Sequence, residues 1–258
     1  MEKLDLDTAM RMIASKHHVD LSKINFSKVL SERDERQDKE AVKFKKMYDD
    51  VNHKRLLRSS VISDIDDLKQ TFNDFNVIDS EQDKELSQAK NIAHRIIQGE
   101  KRNFTFSGNA GAGKTMLAIS IINQIMKDSD VLTCYFASFA MLSQMNLDGI
   151  KDYGIKNDLI RAEKCIKNCD VLVLDDLGSE TAFKKNPRFA EDNEASNYTQ
   201  KLLFRIADYR KSKANIITTN NSSAEIQAIY NKKIYSRLIA KHKEDVIKFN
   251  SRDMRNLF

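Results

Sequence analysis

Three of the chain's seven glycines fall within six residues, in the run Gly108-Asn109-Ala110-Gly111-Ala112-Gly113-Lys114-Thr115. The run fits G-x-x-x-x-G-K-S/T, and no other stretch limits the available folds so sharply. Glycines at this spacing let the backbone bend tightly and approach an anion with no Cβ in the way. The strand-like run Phe104 to Phe106 comes before it. After it come Met116, Leu117, Ile119, Ile121, Ile122, Ile125 and Met126, a strongly apolar helix suited to burial against a sheet.

Strand, glycine loop and buried helix together predict a phosphate cradle. Loop N–H groups point at the anion, and the helix adds its positive N-terminal end. Gly108, Asn109, Ala110, Gly111, Ala112, Gly113, Lys114, Thr115 and Met116 are the expected ATP-binding residues. Lys114 is expected to reach the β- and γ-phosphates, and Thr115 to give its hydroxyl to Mg²⁺.

A second run, Val171-Leu172-Val173-Leu174-Asp175-Asp176, is apolar throughout and ends in two carboxylates. Such a run suits a strand buried on both faces, opening at its C-terminal end onto the ligand crevice of an α/β sheet. Asp175 is expected to hold Mg²⁺ together with Thr115, and Asp176 to orient or deprotonate the attacking water.

The rest of the chain supports such a fold. Proline occurs once and glycine seven times in 258 residues, too few turn-formers for a many-stranded sandwich or barrel. Short apolar runs at Val131–Ala137, Ile216–Thr219 and Val246–Phe249 are separated by helix-length segments. The expected class is α/β, a P-loop core with a parallel five-stranded sheet flanked by helices and preceded by a small helical N-terminal region. Helix signals run from Ser80, with Asp83 as a capping-box partner, to a stop at Gly99. Ser179 to Asn197 reads as a long polar loop.

Residues 1–70 read as a separate helical arm, and 71–258 as the ATPase domain. The arm is nearly neutral, with 15 Lys/Arg and 14 Asp/Glu. Its apolar residues Phe44, Met47, Tyr48 and Val51, then Leu57, Val61, Ile65 and Leu68, keep the spacing of one helix stripe. Gln70 to Asp79 has no period and reads as a linker. Three cysteines without a C-x-x-C pair argue against a disulfide framework and for a reducing cytoplasm. The five histidines show no zinc spacing, and no 18-residue apolar stretch suggests a membrane span.

With both motifs in place, residues 72–258 resemble the AAA+ ATPase of the DnaC/DnaI family of bacterial helicase loaders. The likeness rests on G-N-A-G-A-G-K-T, D-V-L-V-L-D-D-L-G (Asp170 to Gly178), Asp208-Tyr209-Arg210, I-I-T-T-N (Ile216 to Asn220), Tyr235-Ser236-Arg237-Leu238 and S-R-D-M-R (Ser251 to Arg255). It implies that Asn220 is a sensor contacting the γ-phosphate or water, and that Arg237 is an arginine finger entering a neighbour's site. It implies that Arg255 is a second sensor, although Ser251 and Met254 depart from that motif's usual Gly and Tyr, and Arg252 competes for the role. Asp176 stands where many relatives carry Glu, which suggests slow hydrolysis.

The implied partners are a replicative DnaB-type helicase, met through the N-terminal region, single-stranded DNA, and further copies of the chain through the ATPase domain. The last 30 residues carry a local charge of +5. There Lys232, Lys233, Lys241 and Lys243 are candidates for phosphates, with Phe136 and Phe139 as candidate stacking platforms. Two other functions remain open: an IstB-type transposition-helper ATPase, and a nucleotide-binding protein that occupies a helicase without cycling.

Overall fold

The computed structural model describes residues 12–17, 25–181 and 195–251. The chain divides into two compact units, Met1–Tyr48 and Asp49–Phe258. The division falls within helix α1 (Phe26–Arg58). No glycine or proline interrupts α1, and its Lys, Arg, Glu and Gln side chains lose little freedom in a helix. Ion pairs one turn apart, such as Asp50 with Lys54 at 2.8 Å, add to it, and Arg55 and Arg58 favour its last turn.

The second unit is built on five parallel strands: β1 (Asn103–Gly108), β2 (Cys134–Ser138), β3 (Val171–Asp175), β4 (Ala214–Thr219) and β5 (Val246–Phe249). Their order across the sheet is β2-β3-β4-β1-β5. β4 therefore lies between β1 and β3, pairing Phe106 with Thr218 on one side and Leu174 with Ile217 on the other.

Alternate residues divide between two cores. Phe104, Phe106, Val171, Val173 and Ile216 face one layer; Tyr135, Leu172, Leu174 and Ile217 face the other. Both faces are covered, which is why the strands read as unbroken apolar runs. Helices α2 (Ser80–Ile97) and α3 (Lys114–Asp128) form the first layer. The second contains α4 (Phe139–Asp148), α5 (Tyr153–Asn168), α6 (Asn197–Tyr209), α7 (Ser223–Ile229) and α8 (Lys232–Leu238).

Several local expectations need correction. The cap of α2 is Asp79, which accepts from the N–H groups of Glu81 and Gln82, rather than Ser80 with Asp83. The stripe through Leu57, Val61, Ile65 and Leu68 is not one helix. α1 ends at Arg58, Val61 makes a parallel bridge to Ala137 at the edge of β2, and Ile65 opens a short 3₁₀ turn. Val61 N donates to Phe136 O at 3.1 Å and Val61 O accepts from Ser138 N at 2.8 Å, covering an edge that would otherwise be unpaired.

Residues 70–79 also do more than link. Phe72 and Phe75 are buried in the first core, and Asn123 Nδ2 donates to the carbonyls of Leu68 and Gln70 at 2.8 and 2.7 Å. The unit that holds the sheet thus includes residues well ahead of position 71. Phe136 and Phe139 are core residues, 1% and 0% exposed, and cannot serve as stacking platforms. Most of the polar loop after Ser179 lies outside the described residues.

Candidate nucleotide site

β1 ends at Gly108 with φ +138°, a conformation that strains any side-chain-bearing residue. A Cβ there would also fall 2.0 Å from Phe249 O on β5. The loop turns back at Gly113, φ +89°, where a Cβ would meet the Phe75 ring at 2.6 Å. α3 starts immediately afterwards. It has no side-chain cap and no acidic residue in its first turn, so its N–H groups are left for an anion. Asn109 fastens the loop to the end of β5, donating its N–H to Phe249 O at 3.0 Å.

Lys114 is 7% exposed. Its Nζ donates to Gly108 O at 2.9 Å, Asn109 O at 2.6 Å and Asn220 Oδ1 at 2.8 Å. Beside it, Thr115 Oγ1 donates to Asp175 Oδ1 at 2.8 Å. Thr218, on β4, donates to the same oxygen at 2.6 Å and accepts from Asp176 N at 2.8 Å. Burial raises the Asp175 carboxyl above its ordinary range, while hydrogen bonds from Thr218 and Thr115 pull it down. Asp176 adopts φ +57°, in the left-handed region that Asp tolerates better than most residues. That turn brings its carboxylate within 3.0 Å of Asn220 Nδ2.

These groups open onto a cavity of about 570 Å³, within the size range of small-molecule sites. Ala110, Gly111, Gly113, Lys114, Thr115 and Met116 line one wall, with Asp175, Asp176, Thr218 and Asn220 beside them. Another stretch of wall is formed by Asp67, Gln70, Asp74 and Asn76. Sequence reasoning missed that wall. Its only local signal was richness in Asn and Asp, which describes turns equally well. The half-buried Glu180 was missed too. It accepts hydrogen bonds from Tyr230 Oη and from Gly178 N, and burial raises its carboxyl.

The donor set fits a magnesium nucleotide. A nearly buried ammonium rests on three neutral oxygens that phosphate oxygens can replace. One carboxylate and one hydroxyl converge where Mg²⁺ would sit, and among the described residues no three His, Cys, Asp or Glu side chains form a self-sufficient metal cage. Mg²⁺ keeps waters and relies on substrate phosphates, so a sparse set is what it needs.

Arg237 is absent from the cavity lining. It lies in the last turn of α8, where its guanidinium stacks on Phe204, 4.5 Å from the ring centroid, and lies 3.8 Å from Asp208. Its Nη1 is buried without a hydrogen-bond partner. Arg252 and Arg255 lie outside the described residues. Arg210, quoted for its motif, is fully buried and donates to Asn215 Oδ1 and to the carbonyls of Ile166, Cys169, Asp170 and Ala214. It ties together the N-terminal ends of β3 and β4.

Fold and site define a P-loop protein of the AAA+ type. Residues 42–256 match the family described as IstB-like ATP binding protein, and the chain belongs to that family. It is similar to the replicative helicase loader DnaC of Escherichia coli K12, 25% identical over 173 residues, 65% of this chain and 62% of that protein. An uncharacterized protein of the same strain, YdaV, is 34% identical over 116 residues, 45% of this chain and 44% of its own length. The chain thus spans less than two thirds of these curated relatives. Among solved structures, DnaI aligns with TM-score 0.56 at 18% identity, covering 74% of this chain and 96% of that one. The DnaC helicase loader aligns with TM-score 0.51 at 25% identity, covering 70% and 97%. DnaC and DnaI are thus among the relatives and solved neighbours of this IstB-like ATP-binding chain. Among the described residues no helix is long and apolar enough to cross a membrane.

Proposed function

We propose that the protein is an ATPase that loads a replicative helicase onto single-stranded DNA. The observation that carries the ATPase part is the hydrogen-bonded chain Lys114–Asn220–Asp176 beside Thr115–Asp175, at the C-terminal end of the sheet. The helicase part is supported by the likeness to the loader DnaC.

In this reading Thr115 and Asp175 hold Mg²⁺, which supplies neutralising charge to the phosphates when bound. Lys114 leaves its neutral partners for the β- and γ-phosphates. Asp176 takes the proton of the attacking water, and Asn220 orients that water or the γ-phosphate. Arg237 acts on the nucleotide of a neighbouring copy, which accounts for its distance from its own cavity. Arg255 is proposed as the second sensor.

The test is capture of the host's replicative helicase by the full chain, with and without ATP. ATP-dependent capture is expected; its absence in both conditions removes the loading role. The family match favours a second reading, a helper ATPase for transposition. ATP-dependent assembly on double-stranded DNA without helicase capture would select it.

A further inference from the structure

With Phe136 and Phe139 buried, any stacking contact to nucleic acid has to come from elsewhere. At the N-terminal end of the sheet the loops entering β1, β4 and β5 each carry adjacent or near-adjacent basic residues: Lys101 and Arg102, Lys211 and Lys213, Lys241 and His242. They line two cavities, of about 450 and 220 Å³, that share Lys101, Lys211 and Lys213. β4 is six residues long, so at about 3.3 Å per residue this end lies roughly 20 Å from the nucleotide site.

The acids of this region are already engaged. Glu100 pairs with Arg95 and Arg102, Asp245 with Arg95, and Asp208 with Lys211. Asp170 accepts from Thr133 N and Oγ1 at 2.9 and 2.6 Å. Lys213 is held by the carbonyls of Lys167, Asn168 and Cys169 at the end of α5. That leaves Lys101 and Lys241, both exposed and without an acidic partner among the described residues. In the same groove Tyr209 is 37% exposed, and the exposed Lys167 ammonium lies 5.1 Å from its ring centroid. Tyr209 and Lys101 line the larger cavity, and Lys241 lines the smaller one that adjoins it through Lys101. A half-open ring under one ammonium, beside two cations with no acidic partner, is the pairing that single strands need: a π-face for a base and cations for the neighbouring phosphates.

We infer that this groove binds single-stranded nucleic acid, with Tyr209 stacking on a base and Lys101, Lys167 and Lys241 meeting the backbone. The inference deepens the proposed contact with single-stranded DNA and gives it a location opposite the nucleotide. It also assigns the Tyr of the Asp208-Tyr209-Arg210 motif, whose Arg is structural.

The test is fluorescence anisotropy of a labelled oligo(dT) with the full chain and ATP across a salt series. Tyr209→Ala is expected to weaken binding about fivefold or more, and Tyr209→Phe to bind as wild type. Lys101→Ala and Lys241→Ala are each expected to reduce the slope of log K against log salt by about 0.7. Nucleotide affinity of all four variants should be unchanged, which separates a lost groove from a lost fold. Variants that bind oligo(dT) like wild type, with the same slope, overturn the groove while leaving helicase capture intact. A wild-type chain that does not bind oligo(dT) overturns it as well. A chain that binds oligo(dT) through Tyr209 but captures no helicase upholds the groove and refutes the loader.

Discussion

Asn220 Nδ2 donates to Asp176 Oδ1 across 3.0 Å, while its Oδ1 accepts from Lys114 at 2.8 Å. One amide at the end of β4 therefore joins the base candidate just after β3 to the phosphate ligand on α3. In the proposed mechanism Lys114 exchanges this amide for a γ-phosphate, which links the phosphate ligand to the base through Asn220. Asp176→Asn keeps the size of the side chain and removes its basicity. Phosphate release is expected to fall about 10²–10⁴-fold, with nucleotide affinity close to wild type in a binding titration. If wild type releases phosphate no faster than the variant, with and without DNA and helicase, the protein is a nucleotide-bound partner that does not cycle.

Lys114→Ala acts on binding itself. The variant leaves the Gly108 and Asn109 carbonyls without their cation. A hydrogen bond to a charged group contributes about 1.5–3 kcal/mol. Calorimetry in magnesium buffer should show ATP affinity reduced by about ten- to a hundredfold or more. Equal affinity in the two proteins would place the nucleotide elsewhere.

Glu85 predicts a pH effect on stability. It is 3% exposed on α2, its Oε1 has no hydrogen-bond partner, and its Oε2 lies 3.5 Å from Ser251 Oγ. Burial pushes its carboxyl up to about 7, with Asp79 and Glu81 adding like charge. An unfolded Glu titrates near its ordinary value of about 4.3. As pH rises from there to about 7, the unfolded chain loses this proton first and stability falls; above about 7 the penalty is complete. Glu85→Gln mimics the neutral acid at every pH. Its melting temperature should match wild type near pH 4 and exceed it at pH 8. An equal difference at both values would mean that ionisation of Glu85 carries no cost.

What could be read in the sequence was what depends on near neighbours in the chain. The glycine loop owes its shape to its own backbone, and Asp175 and Asn220 each end an apolar run, so their strands announce them. Phe75 gave no such signal. Its role is to pack against Gly113 from a segment with no period, and nothing near residue 75 encodes that meeting. Val61 looked helical because its spacing from Leu57 and Ile65 fits a turn of helix, yet the open edge of β2 claimed its backbone. Phe136 and Phe139 look like a motif when read in a line, but the pleat of β2 and the start of α4 turn both inward. Arg210 is a charged residue that composition places on the surface, and a cage of strand-end carbonyls buries it.

Arg237 allows the sharpest test of assembly. Its guanidinium is held within its own chain by Phe204 and Asp208, with one nitrogen left unpaired. A cation–π contact of this kind contributes only about 0.5–2 kcal/mol, so a neighbour's triphosphate can compete for it. Arg237→Ala should bind ATP like wild type but release phosphate about 10³-fold more slowly or worse, as loss of an arginine finger does. Lys114→Ala is inactive for the opposite reason, since it keeps the finger and loses the site. Mixing the two inactive proteins lets the Lys114→Ala copy present Arg237 to the intact site of the Arg237→Ala copy. Phosphate release should reappear in the mixture, with a steeper than linear dependence on total protein. If the mixture stays as inactive as its parts while both variants remain folded by thermal melting, Arg237 does not act between copies, and its stack on Phe204 is structural.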